Sequence, residues 1–172
     1  MHVQNVHERE FDLSPAAVGS LIDSLASSND SLWPNDKWPP MRFDRALAVG
    51  GRGGHGPIRY SVEEYQPGRL ILCRFLAPHG FDGTHRYEVA GERGRTVLRH
   101  VLEMDTTGLA SLSWILVFRP LHDALIEDSL DKAAISLGNA PRNAARWSIS
   151  VRVLRHALTT LRRVRSKDSS AG

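Results

Sequence analysis

Cysteine is nearly absent from this chain of 172 residues, since Cys73 is the only one. A single cysteine cannot form an intramolecular disulfide, and it cannot supply the several thiolates of a structural metal cluster. The hydrophobic fraction of 41% is ordinary for a globular protein, so the chain can bury a core without such cross-links. Its length fits one domain, or one domain with a terminal extension.

Long apolar runs are missing as well. The longest run, residues 114–118, is far too short to span a bilayer. The N-terminus is polar from its start and lacks the apolar stretch of a signal peptide. We therefore expect a cytosolic protein.

Excess positive charge is confined to the C-terminal tail. Residues 140–172 carry seven Arg and one Lys against one Asp, a net charge of +7, which leaves −4 of the total +3 for residues 1–139. Because nucleic-acid binding needs a basic surface, we expect no nucleic-acid partner for the body of the protein.

Several motifs that carry chemistry do not occur: G-x-S-x-G, H-E-x-x-H and C-x-x-C. Residues 51–56 match G-x-G-x-x-G, but a dinucleotide site needs a helix directly after the glycines, and here a strand pattern follows. We interpret them as a flexible hairpin loop. Asp123, Glu127 and Asp131 recur every four residues, which predicts a solvated helix face.

Two short elements are predicted at the N-terminus. Residues 3–13 alternate loosely, as in a strand, and Ser14-Pro15 supplies an N-cap and a proline at the first helical position. Helical spacing then predicts a helix to about Ala26. Residues 27–41 contain three prolines and two tryptophans, which favours a loop or a short second helix packed down by the tryptophans.

A period of two begins at Asp44 and predicts a meander of antiparallel strands joined by Gly and Pro turns. The predicted strands cover residues 44–50, 57–65, 69–76, 81–90 and 95–106. Residues 109–137 are helical in pattern, Pro120 should divide that helix near Arg119, and Gly138-Asn139 supplies its C-cap. The fold class is thus α+β, a curved antiparallel sheet wrapped around a long C-terminal helix, with an interior cavity between them.

The last hairpin can be registered from its turn. With residues 91–94 as the four turn residues, His85 lies opposite His100, Tyr87 opposite Leu98, and one apolar face is buried.

Three segments carry a resemblance to a known superfamily: Y-Q-P-G-R at 65–69, G-T-H-R-Y-E-V at 83–89 and G-R-T-V-L-R-H at 94–100. It continues through Trp114 and R-P-L-H-D-A-L at 119–125. The chain resembles the SRPBCC, or START-like, superfamily, which includes polyketide cyclases and lipid-transfer proteins with a helix-grip fold. The resemblance covers about residues 3–138. It implies a hydrophobic ligand cavity but no common reaction, and no catalytic residue can be carried over.

Ten residues are predicted to line the cavity: Tyr60, Phe75, Phe81, His85, Tyr87, Leu98, His100, Trp114, Phe118 and Leu121. His85 and His100 form its polar landmark, either as ligand contacts or as a structural pair that bonds Tyr60 or Tyr87. No third ligand sits at a motif spacing, so we predict no metal, and we expect no cofactor.

The tail is predicted to be separate from the START-like domain at 1–139. Residues 140–172 form a basic amphipathic extension whose apolar stripe runs from Trp147 through Val151, Leu154 and Leu158 to Leu161. Docking on the body or homodimerisation is favoured over contact with an anionic membrane surface.

Three functions remain open at this point. The first is binding of a small hydrophobic molecule, such as a lipid or polyketide, in the cavity. The second is a cyclase- or aromatase-like enzyme that acts on a carbonyl compound there, although no catalytic motif identifies an enzyme. The third is a regulatory module that signals cavity occupancy through its basic tail.

Overall fold

The architecture is that of a computed structural model, which describes residues 1–92, 94–139, 141 and 144–168. Within residues 161–168 it describes the backbone, so the side chain of Leu161 in the predicted stripe lies outside the described part.

Seven antiparallel strands form one curved sheet in the order β1-β7-β6-β5-β4-β3-β2. Their bounds are β1 His2–Phe11, β2 Arg42–Phe43, β3 Arg52–His55, β4 Ile58–Gln66, β5 Leu70–Ala77, β6 Phe81–Glu92 and β7 Arg95–Thr106. The first strand therefore closes one edge by pairing with the last, and the two shortest strands form the other edge. The meander predicted from the period of two is confirmed for β4 to β7.

Helix α1 spans Pro15–Asp23, and Ser14 Oγ caps it by accepting a hydrogen bond from Ala17 N at 3.3 Å. It ends before the predicted Ala26, because Ala26 takes a left-handed φ of 60° and its N–H bonds Asp30 Oδ2 at 2.8 Å. The following residues form a loop with no second helix. Trp33 and Trp38 are buried and hold it down, as predicted.

The register of the β6–β7 hairpin differs from the predicted one by two residues. Tyr87 pairs with His100 and His85 with Leu102, so His85 does not lie opposite His100. Both strands extend further toward the turn than predicted, since Glu92 already pairs with Arg95, and Gly94 next to that pair has a left-handed φ of 78°. A shift of two keeps every side chain on its predicted face.

The short edge strands correct two predictions. Residues 44–50 are not a strand, and the glycine-rich segment is β3 rather than a flexible loop. A Cβ on Gly53 would lie 2.5 Å from Arg42 O, and one on Gly54 would lie 2.2 Å from Ile58 O. The glycines therefore allow close approach of two neighbouring strands instead of supplying mobility.

The long helical region is divided near Arg119, as Pro120 predicts. Helix α2 (Leu109–Ser113) leads through a π-helical turn (Trp114–Phe118) into α3 (Arg119–Ser136). Proline has no N–H to donate to the preceding turn, so the geometry changes there. The C-cap is also confirmed: Gly138 has a φ of 76°, and Asn139 N donates to Ala134 O at 2.8 Å.

The stretch Leu109–Ser136 is long and apolar enough by composition to cross a membrane, with a mean hydropathy of 1.3 in its most apolar window. In this fold its C-terminal part is the core helix, since α3 buries Leu125, Ile126 and Leu130 against the sheet. Its N-terminal part exposes Leu109 and Leu116.

The C-terminal helix α4 (Ile149–Asp168) begins against the body. Val151 is buried in the core, and the Arg155 guanidinium lies between the Trp38 and Trp147 rings at 4.2 and 4.1 Å from their centroids. Both indole N–H groups donate to Asp128 Oδ2, at 2.8 Å from Trp38 and 2.7 Å from Trp147. Leu158, further along α4, is exposed.

Candidate functional site

The concave face of the sheet carries a small cavity of about 10 Å³. Its lining residues come from the loop after α1, from β2 and from the two central strands β5 and β6: Leu25, Met41, Phe43, Ile71, Cys73, His85 and Tyr87. A volume near 10 Å³ is at the lower limit for one water molecule. The interior is therefore nearly filled by side chains, and β2 rather than α3 covers the cavity.

The ten predicted site residues fall into three groups. His85 and Tyr87 line the cavity, and Tyr60 contacts His85 with ring centroids 4.8 Å apart. A second group surrounds Phe81 and consists of Phe81, Trp114 and the partly buried Phe75 and Phe118, of which Phe75 also contacts His85. The third group, Leu98, His100 and Leu121, belongs to the main core.

His85 is held among aromatic rings. Its imidazole stacks on Phe75 at 5.0 Å between centroids and lies 5.7 Å from His100. Its Nε2 is buried and has no hydrogen-bond partner within the described part of the chain. Burial, with a smaller contribution from His122, lowers the pKa of His85 to about 3, so the ring is neutral at physiological pH. It offers one ring nitrogen to a ligand.

His100, like His85, is buried among apolar and aromatic side chains. It contacts the Tyr87 ring at 4.7 Å, and burial lowers its pKa well below the usual value. The structural alternative predicted a hydrogen bond from Tyr60 or Tyr87 to the His85–His100 pair, but both hydroxyls have other partners. Tyr87 Oη bonds Ser129 Oγ at 2.8 Å, and Tyr60 Oη lies 3.4 Å from a nitrogen of His55.

His55 connects the interior to a surface groove of about 520 Å³. The groove is lined by the loop before β2, by β2 and β3, and by the turn after them: Pro39, Pro40, Arg42, Phe43, Asp44, Arg52, Gly53, Gly54, His55, Gly56 and Arg59. The His55 ring packs on Trp33 at 4.6 Å. Phe43 lines both the groove and the inner cavity. Sequence reasoning missed His55 because it stood in a presumed loop.

A second polar cluster lies between β1 and α3. Asn5 and His7 contact Asp123, at 2.9 Å from Asn5 Nδ2 and 3.3 Å from His7 Nε2 to Asp123 Oδ1. His7 Nδ1 lies 2.7 Å from Glu127 Oε1. Arg9 donates to Glu127 Oε2 at 3.2 Å and to Asp131 Oδ1.

The prediction of a solvated acidic face on α3 is therefore wrong. The Asp131 side chain is 6% exposed and accepts from Arg9 Nη1 at 2.5 Å. The inward side of β1 is polar, so these acidic residues contact the sheet, with Asp131 buried and Asp123 and Glu127 partly exposed. Burial works against a charged His7, but its hydrogen bonds to Asp123 and Glu127 raise its pKa to about 9. Despite burial, the neighbouring His122 and, next, His7 hold the pKa of Asp123 below its ordinary value.

His122, the residue before Asp123, lies at the inner end of this cluster. Its ring is 5.1 Å from His100 and 6.1 Å from His7. His7, His122 and Asp123 each offer one ligand atom, and these three atoms lie within 4.8 Å of one another. The separation of 115 residues between the two histidines hid this constellation from spacing rules.

No protein-family model matches this sequence, and no curated protein matches it either. Solved structures do match. A norcoclaurine synthase point mutant of Thalictrum flavum, in complex with a transition-state analogue, superposes with a TM-score of 0.58 at 14% identity, over 80% of this chain and 96% of that one. The chain has the helix-grip fold, which is the fold that the sequence resemblance predicts.

Two further helix-grip structures superpose comparably. CalU16 of Micromonospora echinospora gives a TM-score of 0.54 at 16% identity, over 78% of this chain and 75% of that one. The di-domain ARO/CYC StfQ from the steffimycin biosynthetic pathway gives 0.59 at 12% identity, over 80% of this chain and 51% of that one. At identities this low, the superpositions establish the helix-grip fold. The ligand and any reaction have to be inferred from the site.

Proposed function

We propose that this helix-grip protein binds a small, largely apolar molecule between β2 and the concave face of the sheet, with one polar group against His85. The observation that carries the proposal is the neutral His85 ring, whose buried Nε2 has no partner among the described residues and which lines the inner cavity. A buried polar atom without a partner costs free energy, and a ligand hydroxyl would remove that cost.

A ligand larger than one water needs the cavity to widen, and β2 is the element best suited to move. It has two residues, lies at the sheet edge and pairs only with β3, through Arg42 with Gly54 and Phe43 with Gly53. Outward movement of Phe43 would join the groove of about 520 Å³ to the cavity. The groove supplies the entrance, and the Tyr60–His85 floor supplies the inner wall.

Binding of 2-naphthol, followed by its fluorescence, tests this function. The molecule has an apolar two-ring body and one hydroxyl, which matches one ring nitrogen on an apolar floor. His85→Phe should weaken 2-naphthol binding about fivefold, the equivalent of one uncharged hydrogen bond. It should leave the affinity for naphthalene unchanged. His79→Phe, at an exposed histidine, is the matched control.

Equal 2-naphthol affinity in the wild type and in His85→Phe would contradict the proposed contact. Native mass spectrometry of freshly purified protein is the companion measurement, since a retained small molecule would identify the ligand class directly.

The second candidate function is a cyclase-like reaction on a carbonyl compound in the same cavity. It is favoured by the contact between Tyr60 and His85, because burial raises the pKa of Tyr60 well above 10 and keeps it a hydroxyl donor beside a neutral imidazole. If Tyr60 acts in a dehydrating cyclisation, Tyr60→Phe should retain a species heavier by one water than the wild type does. The same retained species in both proteins would favour plain binding.

A further inference from the structure

We propose that His7, His122 and Asp123 form a binding site for a divalent transition metal of the zinc type, with Glu127 as the outer partner of His7. None of these residues lines the cavity, so the proposal goes beyond the proposed function.

Two of the three distances fit a shared ion. His7 Nε2 lies 3.3 Å and His122 Nδ1 lies 3.8 Å from Asp123 Oδ1. Four ligands at about 2.1 Å from a tetrahedral zinc lie about 3.4 Å from one another, so both distances are within a few tenths of an ångström of that value. The ligand atoms of the two imidazoles lie within 4.8 Å of one another, and they approach by up to about 1.4 Å when they share the ion. Two imidazoles and one carboxylate make a donor set that suits zinc, cobalt or nickel rather than calcium or magnesium.

The hydrogen-bonding state of His122 is the independent observation that points to a ligand. Both of its ring nitrogens are buried, and neither has a hydrogen-bond partner in the part of the chain that the structure describes. His122 Nδ1 lies 3.8 Å from Asp123 Oδ1, too far for a hydrogen bond. A metal ion would satisfy one nitrogen at the cost of a small side-chain movement.

The outer contacts already have the form that metal sites use. A metal-bound histidine commonly gives its second ring nitrogen to a carboxylate, which fixes the ring orientation. Here His7 Nδ1 lies 2.7 Å from Glu127 Oε1, and Arg9 holds the other oxygen of Glu127 at 3.2 Å. Asn5 Nδ2 donates to Asp123 Oδ1 at 2.9 Å and orients that ligand.

The site is also accessible. The side chains of His7 and His122 are 15% exposed and that of Asp123 is 38% exposed, so an ion can enter from solvent. Three protein ligands leave the fourth position of a tetrahedral ion for water or for a small anion.

The test starts from full-length protein stripped with chelator and dialysed against zinc chloride, with bound zinc counted by plasma mass spectrometry. We expect one zinc per chain. His122→Gln should abolish stoichiometric binding without unfolding the protein, because it removes a side chain without hydrogen bonds. Glu127→Gln should weaken zinc about 10–100-fold, as outer-partner substitutions do. His2→Gln is the matched control, since His2 forms an exposed pair with Asp105 at 3.5 Å.

X-ray absorption at the zinc edge supplies the second readout, independent of any activity. Two imidazole neighbours around the zinc bound by the wild type support the site. Zinc with no imidazole neighbours, zinc bound equally by His122→Gln, or no zinc bound by the wild type at equimolar supply would each overturn it.

Discussion

His85 and His100 lie on neighbouring strands, and each has one buried ring nitrogen without a hydrogen-bond partner among the described residues. A protonated imidazole in such surroundings would be a buried, uncompensated charge. The fold therefore keeps both rings neutral. For a ligand this means a weak, directional polar contact in apolar surroundings, without the strong field of a charged group.

The neutral state of His85 predicts a dependence of stability on pH. Its pKa is about 3 in the folded protein and about 6.5 in the unfolded chain, so the unfolded chain takes up the proton first as pH falls. The contribution of neutral His85 to the free energy of unfolding is fully present above pH 6.5. Between pH 6.5 and pH 3 it falls by about 1.4 kcal/mol per pH unit.

Urea unfolding of the wild type and of His85→Gln at pH 7.5 and pH 5 measures the contribution of His85 to the free energy of unfolding. Other groups titrate too, so the difference between the two proteins is the quantity to follow. The wild type should lose about 2 kcal/mol more than His85→Gln over that interval. Equal losses would show that His85 is not buried in its neutral form.

At the scale of secondary structure, β1 and α3 meet through matched spacings. Alternate residues of a strand are about 6.8 Å apart, and residues four apart in a helix are about 6 Å apart. The polar residues of β1 can therefore contact acidic residues that are four apart on the helix. Asn5 contacts Asp123, His7 contacts Glu127 and Arg9 contacts Asp131. These contacts fasten the edge strand to the core helix.

Arg9→Met tests the weight of this contact. Among the described residues it leaves the buried Asp131 carboxylate with one donor, Ala145 N at 2.6 Å, so the free energy of unfolding should fall by about 3 kcal/mol. Arg95→Met is the control, because Arg95 makes an exposed pair with Glu10 at 3.4 Å and should change stability by less than about 1 kcal/mol. Similar effects of the two substitutions in urea unfolding would contradict the assignment.

The strands were predictable where the sequence alternates and failed where a glycine replaces the side chain. Periodicity gave β4 to β7 to within two residues, and the two-residue error in the last hairpin preserved the inward face. Gly53 and Gly54 carry no side chain to alternate, so their strand was invisible until its neighbours were placed.

The candidate site was less predictable than the fold. His85 and Tyr87 were found because they alternate with apolar residues on one strand. Met41 and Phe43, which cover the cavity, lie at the end of the loop after α1 and in the two-residue strand β2. That segment is too short to show an alternating pattern. The contacts of β1 with α3 join residues 116 to 122 positions apart, and local patterns carry no information about them.

Across the whole molecule, the ring contacts form a continuous row. From the groove inward, His55 contacts Tyr60, Tyr60 contacts His85, and His85 contacts His100, at 5.9, 4.8 and 5.7 Å between centroids. His122 extends the row toward the proposed metal site. The cavity and that site thus share one aromatic wall, with the groove at its other end.

The tail is joined to the same body. The first turns of α4 dock through Val151 and through Arg155 between two tryptophans, whereas Ile149, Val153 and Leu158 expose apolar surface. The sequence favoured docking on the body or homodimerisation over a membrane surface, and the first turns of α4 do dock on the body.

The location of the ligand is the central claim, and isotope-filtered nuclear Overhauser spectroscopy of labelled protein with unlabelled 2-naphthol tests it most directly. We expect contacts from the naphthol protons to Met41, Phe43 and Ile71 around the cavity. Contacts only to the exposed apolar residues of α2 and α4, such as Leu109 and Val153, would contradict the account.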